Sequence, residues 1–197
     1  SFVALFTALL FLKLFHWLLG FVVHPSPKVR ARGHLACTAA LEQCPGLSDA
    51  TSRFVEQRLA ATAMTDVQPA LYVLGFLRKG LGAMRAKSLG NTAQAMLRLP
   101  SLGHPLLSKT ACEVIIAMCT CEAGNDPLGA PLLSTICERM LASATEAAEA
   151  APATKKRSAE SVGFDPHALR AAAAAATALL DADAPSCHAL LPSLVTA

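Results

Sequence analysis

Apolar side chains recur along most of this chain three and four residues apart, the spacing that gathers them on one face of a helix. After a break at His24–Pro27, Val29, Gly33, Ala36, Cys37, Ala40, Leu41 and Cys44 share such a face, and Pro45–Gly46 closes it. Ser26 before Pro27 reads as a helix cap followed by proline in the first helical position. Ser48 opens a second helix reaching about Met64, with Phe54, Val55 and Leu59 inward. Asp66 is placed to cap a third, in which Leu71, Leu74, Leu77 and Leu81 fall on one side before Gly80 and Gly82 end it. A fourth runs from Ala86 to Leu99, stopped by Pro100. Pro105 opens a fifth, with Leu107, Ala111, Val114, Ile115 and Met118 on one face. Beyond a turn at Gly124–Pro127, a sixth turns Leu132, Leu133, Ile136, Cys137, Met140 and Leu141 inward.

Antiparallel neighbours of this kind cover each other's apolar stripes. Repeated along a chain they make an α-solenoid, in which each pair buries its face only against the next. A compact helical bundle is the alternative.

Two segments break the pattern. Residues 1–23, SFVALFTALLFLKLFHWLLGFVV, are apolar all round, and a helix of that length spans about 34 Å, enough for a bilayer core. Lys13 and His16 interrupt the run, which is costly in lipid unless they snorkel or face protein. No basic stretch precedes it, so a signal peptide fits poorly; a membrane helix and a buried helix both remain open. Residues 143–163 hold almost nothing apolar larger than alanine and read as a flexible linker. The organisation expected is therefore an apolar helix at 1–23, helical repeats over 24–142, the linker at 143–163, and a C-terminal helical segment at 164–197. Asp165–Pro166 would start that last helix, and its six-alanine run, Ala171–Ala176, gives propensity but little burial.

Composition supports an all-α reading. Among 197 residues there are 39 Ala and 31 Leu against 10 Val and 3 Ile, with one Tyr and one Trp. So few strand-favouring residues argue against a β-sandwich, a β-barrel or a Rossmann sheet. Charged residues make up 16%, so much of the surface is alanine-rich or covered by a partner. The chain begins with Ser, which is expected of a piece of a longer protein. Its net charge of +3 is unevenly spread: residues 24–112 hold 11 basic and 4 acidic side chains, residues 113–197 hold 5 and 10, and Lys13 stands apart. A basic half suits an anionic partner such as RNA, or simply a solvated helix surface.

The seven cysteines, at 37, 44, 112, 119, 121, 137 and 187, are odd in number and fall mostly at apolar helical positions. No Cys-x-x-Cys pair occurs, and Cys119-Thr-Cys121 lacks a partner at zinc spacing. They read as reduced core residues, with no metal and no cofactor expected.

Two family resemblances add to this. Ser1–Leu18, through its Phe11–Trp17 run, resembles a transmembrane helix of the synoviolin-type ubiquitin ligases of the endoplasmic reticulum. Nothing in the chain has the spacing of their zinc-binding RING, so that resemblance implies a membrane segment without ligase chemistry. Pro25–Ala40, PSPKVRARGHLACTAA, resembles the start of a HEAT repeat, in which Pro sets the turn, Val29 plugs the core and Arg30 bonds turn carbonyls. More broadly, Gly20 to about Cys121 resembles the HEAT domain of the ribosomal RNA-processing protein 12 family. The segments that carry it are Leu19–Arg30, Ala50–Leu59, Leu71–Leu81 and Leu107–Cys119. That family's solenoids are nuclear and nucleolar and bind pre-ribosomal particles and RNA. By resemblance the chain would be an armadillo-like helical scaffold in ribosome biogenesis and rRNA processing, with pre-ribosomal RNA or assembly proteins as partners. The family has no membrane span, so residues 1–18 would be either a buried solenoid helix or a joined, unrelated piece. The alternative function is a membrane-embedded fragment, in the endoplasmic reticulum, reaching the bilayer through residues 1–23.

No phosphate loop, Gly-x-Ser-x-Gly or His-Glu-x-x-His occurs, and the six histidines are scattered, so no enzyme and no small-molecule substrate are expected. The candidate RNA or partner contacts are Lys28, Arg30 and Arg32 in the first turns of one helix, and Arg78, Lys79, Arg85 and Lys87 around a later turn. On a solenoid, equivalent turns align, so these seven are expected to form one basic ridge for phosphates, unless they serve only solubility. Lys155, Lys156 and Arg157 form a short basic run that fits a nuclear import signal or a solvated linker.

Overall fold

A computed structural model describes residues 2–63, 65–120, 128–149 and 165–182, with the backbone alone for 2–5, 7–8 and 146–149. Among the described residues there are eight α-helices: α1 (Phe2–Gly20), α2 (Pro27–Gln43), α3 (Ser48–Ala60), α4 (Gln68–Gly80), α5 (Ala86–Met96), α6 (Pro105–Cys119), α7 (Ala130–Glu149) and α8 (Pro166–Ala182). Short 3-10 turns at Phe21–Val23, Pro45–Leu47, Leu81–Ala83 and Pro100–Leu102 link several of them. Among the described residues there is no strand, and β pairing is confined to one bridge between Ala63 and Asp66. The architecture is all-α, as the alanine and leucine content predicts.

Helix starts follow local chemistry. Pro27, Pro105 and Pro166 each occupy the first position of a helix, where a missing N–H costs nothing. His104 caps α6 by accepting the Leu107 amide on Nδ1 at 3.3 Å. Asp66 does not cap α4: its backbone is held by the bridge to Ala63, and the helix begins two residues later with Val67 at the cap position. Ser48 does not cap α3 either. It sits inside the first turn, donates to the Pro45 carbonyl at 2.7 Å and accepts the Arg85 amide at 3.2 Å.

The described residues fall into two compact units, one ending at Ala95 and the other beginning at Met96. In the first, Phe15, Leu19, Val22, Cys37, Leu41, Val55, Leu59, Val73, Leu74, Phe76 and Leu77 form the core. Three pairs fix how α2 meets α4. The Arg30 guanidinium lies 3.7 Å from the Tyr72 ring centroid. The His34 and Phe76 rings are 5.6 Å apart, and Gly80 backs onto Thr38, whose Oγ1 is 3.6 Å from where a Cβ would stand. Each step advances four residues on both helices, so α2 and α4 run parallel at a constant 42-residue offset. A second seam is polar. Ser88 donates to Asp49 at 2.8 Å, Ser52 to the Ser88 carbonyl at 3.1 Å, and Thr92 to Ser52 at 3.3 Å. With the Arg85–Ser48 bond, these join α3 to α5, again in parallel, at separations of 36 to 40 residues.

In the second unit, α8 packs along both α6 and α7. Its buried face is Ala168, Ala171, Ala172, Ala175, Ala176 and Leu179, and small side chains let the helix axes approach closely. Asp165 anchors its start: Oδ1 accepts the His167 amide at 2.9 Å, and the other oxygen accepts the Ser108 hydroxyl of α6. The alanine run, from which the sequence promises little burial, is therefore a packed face.

Three further expectations change. Ala36, placed on the inward stripe of α2, is exposed. The linker expected at 143–163 is helical at its start, because α7 continues to Glu149 with Ser143 and Ala144 buried; Ser143 shares a hydrogen bond with Ser101 at 3.3 Å. The rest of that linker lies outside the described residues. Finally, among the described side chains of α1, Phe15 and Leu19 near its C-terminal end are covered, as the buried alternative expects, while Leu9, Leu10, Phe11, Leu12, Leu14 and Trp17 are exposed. Among the described residues no helix is long and apolar enough to cross a membrane.

Candidate nucleic-acid interface

The seven basic candidates all lie in the first unit, and the parallel register decides which of them share an edge. Because α2 and α4 point the same way, the start of α2 lies level with the start of α4, and the end of α2 with the end of α4. Lys28, Arg30 and Arg32 are therefore at one end of the α2–α4 layer. Arg78 and Lys79, in the last turn of α4, are at the other, joined through Leu81–Ala83 to Arg85 and Lys87 at the start of α5. The single basic ridge expected from sequence is two separate edges. The reason is helix length: α4 carries its chain a full 13 residues away from the end where α2 begins.

The members of each edge differ in what they touch. Arg30 is half-buried. Its guanidinium donates to the carbonyls of His24 at 2.8 Å and Pro25 at 3.2 Å while stacking on Tyr72. This is the turn-bonding role that the HEAT resemblance implies, and it leaves little of the group for a ligand. Lys28 and Arg32 are exposed beside it. At the other edge Arg78, Lys79, Arg85 and Lys87 are all exposed. The backbone of Arg85 is fixed by Ser48, so the turn holding this quartet is tied to α3.

Arg58 and Arg53 were missed by sequence reasoning. Both are exposed on α3, and Arg58 lies 5.4 Å from the Phe54 ring centroid. The antiparallel course of α3 relative to α2 was the available signal: it puts Arg53 nearer the Arg78–Lys87 edge and Arg58 nearer the Lys28–Arg32 edge. Lys155, Lys156 and Arg157 lie outside the described residues.

Between the two edges sits His34, 8% exposed. Its Nε2–H donates to the Val22 carbonyl at 3.2 Å. Burial holds its pKa below the usual 6.5 despite that bond, and the charges of Lys79 and Arg30 push the same way. It joins the Phe21–Val23 turn to α2 and α4 and is itself no ligand for an outside group.

Cys37 and Cys112 are buried and Cys119 is half-buried, and all three thiols are held in the protonated form. Burial pushes Cys37, Cys112 and Cys119 up to about 12, with Asp165 adding to the effect at Cys112 and Cys137 at Cys119. Thiolate, the nucleophilic and metal-binding form, is suppressed at these positions. Among the described residues no group of three or more His, Cys, Asp or Glu side chains is placed to hold a metal ion. Every buried side-chain nitrogen or oxygen there has a hydrogen-bond partner.

Set against protein-family models, curated proteins and solved structures, the chain gives no match. The functional reading consequently rests on the geometry and on the resemblances drawn from its own residues.

Proposed function

We propose that the chain is a non-catalytic, HEAT-like solenoid scaffold that binds RNA phosphates along one helix edge, and that it serves ribosome biogenesis in the nucleus and nucleolus. The observation that carries the scaffold reading is the paired parallel register. α2 stacks on α4 and α3 on α5 at offsets of 36 to 42 residues, close to the period of about 40–47 residues of HEAT and armadillo repeats. Such a stack grows by adding pairs and meets partners through its edges. The edge that supports an anionic partner best is Arg78, Lys79, Arg85 and Lys87, four exposed cations around one backbone-anchored turn. The ribosomal setting comes from the sequence resemblance, with pre-ribosomal RNA or assembly proteins as partners.

A set of lysines and arginines on a turn reads charge and spacing, not bases. The chain has one Tyr and one Trp, which leaves few rings on which bases could stack. Binding should therefore be indifferent to sequence and favour structured RNA with closely spaced phosphates.

The test compares two variants of the full chain in fluorescence anisotropy with a labelled structured ribosomal RNA fragment. Lys79→Ala/Arg85→Ala/Lys87→Ala is expected to lose at least about tenfold in affinity, since each phosphate contact contributes through counterion release. Lys28→Ala/Arg32→Ala is expected to retain it. Equal loss in both variants, or none in either, overturns the edge assignment.

A further inference from the structure

The surface chemistry of α1 is not used by the scaffold reading. Leu9, Leu10, Phe11, Leu12, Leu14 and Trp17 are all exposed, Trp17 at 70%. At 100° per residue these positions spread over about 260° of the helix circumference. The remaining arc holds Phe15 and Leu19, which dock onto the rest of the unit. A protein groove takes up one stripe of a helix, read at i, i+3/i+4 and i+7. A second copy of α1 would likewise cover a stripe and leave the others wet. Acyl chains alone solvate a helix on every side it presents.

We infer that α1 is a lipid anchor, inserting its exposed part into one leaflet of a bilayer. The dimensions fit: from Phe6, 62% exposed, to Trp17 the helix rises about 16 Å, close to half of the roughly 30 Å hydrocarbon core. Trp17 stands at the end of that stretch nearest the folded body, where an indole ring settles at the headgroup level. Lys13 is one turn deeper, and its four-carbon stem, turned back along the helix, brings the amine toward the headgroups. His16 satisfies Nδ1–H on the Leu12 carbonyl at 3.3 Å. Beyond Trp17 the chain turns through Phe21–Val23 into α2, whose first turns present exposed Lys28 and Arg32. That edge, set apart from the Arg78–Lys87 edge, gives the charge complementary to anionic headgroups at the depth where α1 leaves the lipid.

Trp17 is the only tryptophan in the chain, so its emission reports directly on this site. The full chain is mixed with vesicles of phosphatidylcholine, or of phosphatidylcholine with phosphatidylserine, and followed by flotation and by tryptophan fluorescence. The chain is expected to float with both, more strongly with the anionic vesicles at low salt. Trp17 emission should shift to the blue and be quenched by lipids brominated near the headgroup. Leu10→Glu/Leu14→Glu, at exposed positions that the fold does not use, should weaken vesicle affinity by at least roughly tenfold with an unchanged circular dichroism spectrum. No flotation with either vesicle overturns the inference. So does binding to anionic vesicles alone that high salt abolishes, because that is charge without insertion. A concentration-dependent dimer without vesicle binding, lost in the same double variant, assigns the surface to a second copy and also overturns it.

Discussion

Arg30 on α2 stacks its guanidinium 3.7 Å from the centre of the Tyr72 ring on α4 while donating to the carbonyls of the turn that precedes its own helix. One side chain thus sets both the angle at which the chain enters α2 and the register of α2 against α4. A lysine can supply the charge and a single donor nitrogen but not the flat guanidinium that stacks on the ring. Arg30→Lys is expected to lower stability by about 1–2 kcal/mol, from the loss of stacking together with the disturbed bonds of its Nη1 to the two carbonyls. A urea-denaturation double-mutant cycle with Tyr72→Leu should return a coupling of about 0.5–1 kcal/mol. Zero coupling would mean that the two helices do not meet there.

Two glycines in neighbouring helices should respond in opposite directions to alanine. A Cβ on Gly33 would stand 2.8 Å from the Phe21 Cβ and 3.0 Å from the Phe21 carbonyl carbon, backbone that cannot swing away. A Cβ on Gly75, within α4, meets nothing within 4 Å. Gly33→Ala should destabilise by about 1–3 kcal/mol, overpacking outweighing the gain in helix propensity. Gly75→Ala should stabilise by about 0.5–1 kcal/mol. Thermal denaturation of the two variants decides this, and a shift of the same sign in both contradicts the packing of Phe21 on α2.

His34 makes the first unit acid-sensitive. Its folded pKa lies below the unfolded 6.5, so the unfolded chain binds the extra proton more readily. Stability from this group is fully present above about pH 6.5 and falls as the pH drops through and below that value. Urea midpoints measured between pH 5 and 7.5 should decline on the acid side in the wild type, and the decline should be shallower in His34→Gln. An identical pH profile in the two proteins would mean that His34 is as free to ionise folded as unfolded.

Asp165 holds α8 by capping it and by accepting the Ser108 hydroxyl. Asp165→Ala is expected to cost about 1–3 kcal/mol, the loss of a cap together with an interhelical bond. Amide exchange should speed up first in α8. Ser108→Ala removes only the second contact and should cost less; a larger effect from Ser108→Ala than from Asp165→Ala would reverse the assignment.

Local patterns made much of this fold legible, and long-range ones did not. Leu107, Ala111, Val114, Ile115 and Met118 are all buried as their spacing requires, because a helical stripe is a property of one segment. Arg30 was readable for the same reason, since its carbonyl partners are five and six residues away. The split of the basic candidates into two edges was not, because it depends on contacts 42 residues apart. The seam of Asp49, Ser52, Ser88 and Thr92 was equally hidden: small hydroxyl residues look like surface until a partner helix covers them. The alanine run of α8 offered propensity without a clue to its neighbours, and its burial is decided by α6 and α7. The exposure of α1 also ran against intuition, since hydropathy says that such a stretch avoids water without saying what covers it.

The salt dependence of RNA binding is the sharpest test of a stacked helical scaffold whose Arg78–Lys87 edge meets phosphates. Affinity for a structured ribosomal RNA fragment is measured across a salt series, and the slope of log affinity against log salt is compared between the wild type and Lys79→Ala/Arg85→Ala/Lys87→Ala. A steep wild-type slope is expected, becoming shallower by about 2–3 in the triple variant, one unit for each phosphate contact removed. Binding that ignores salt, or an unchanged slope in the variant, would contradict it.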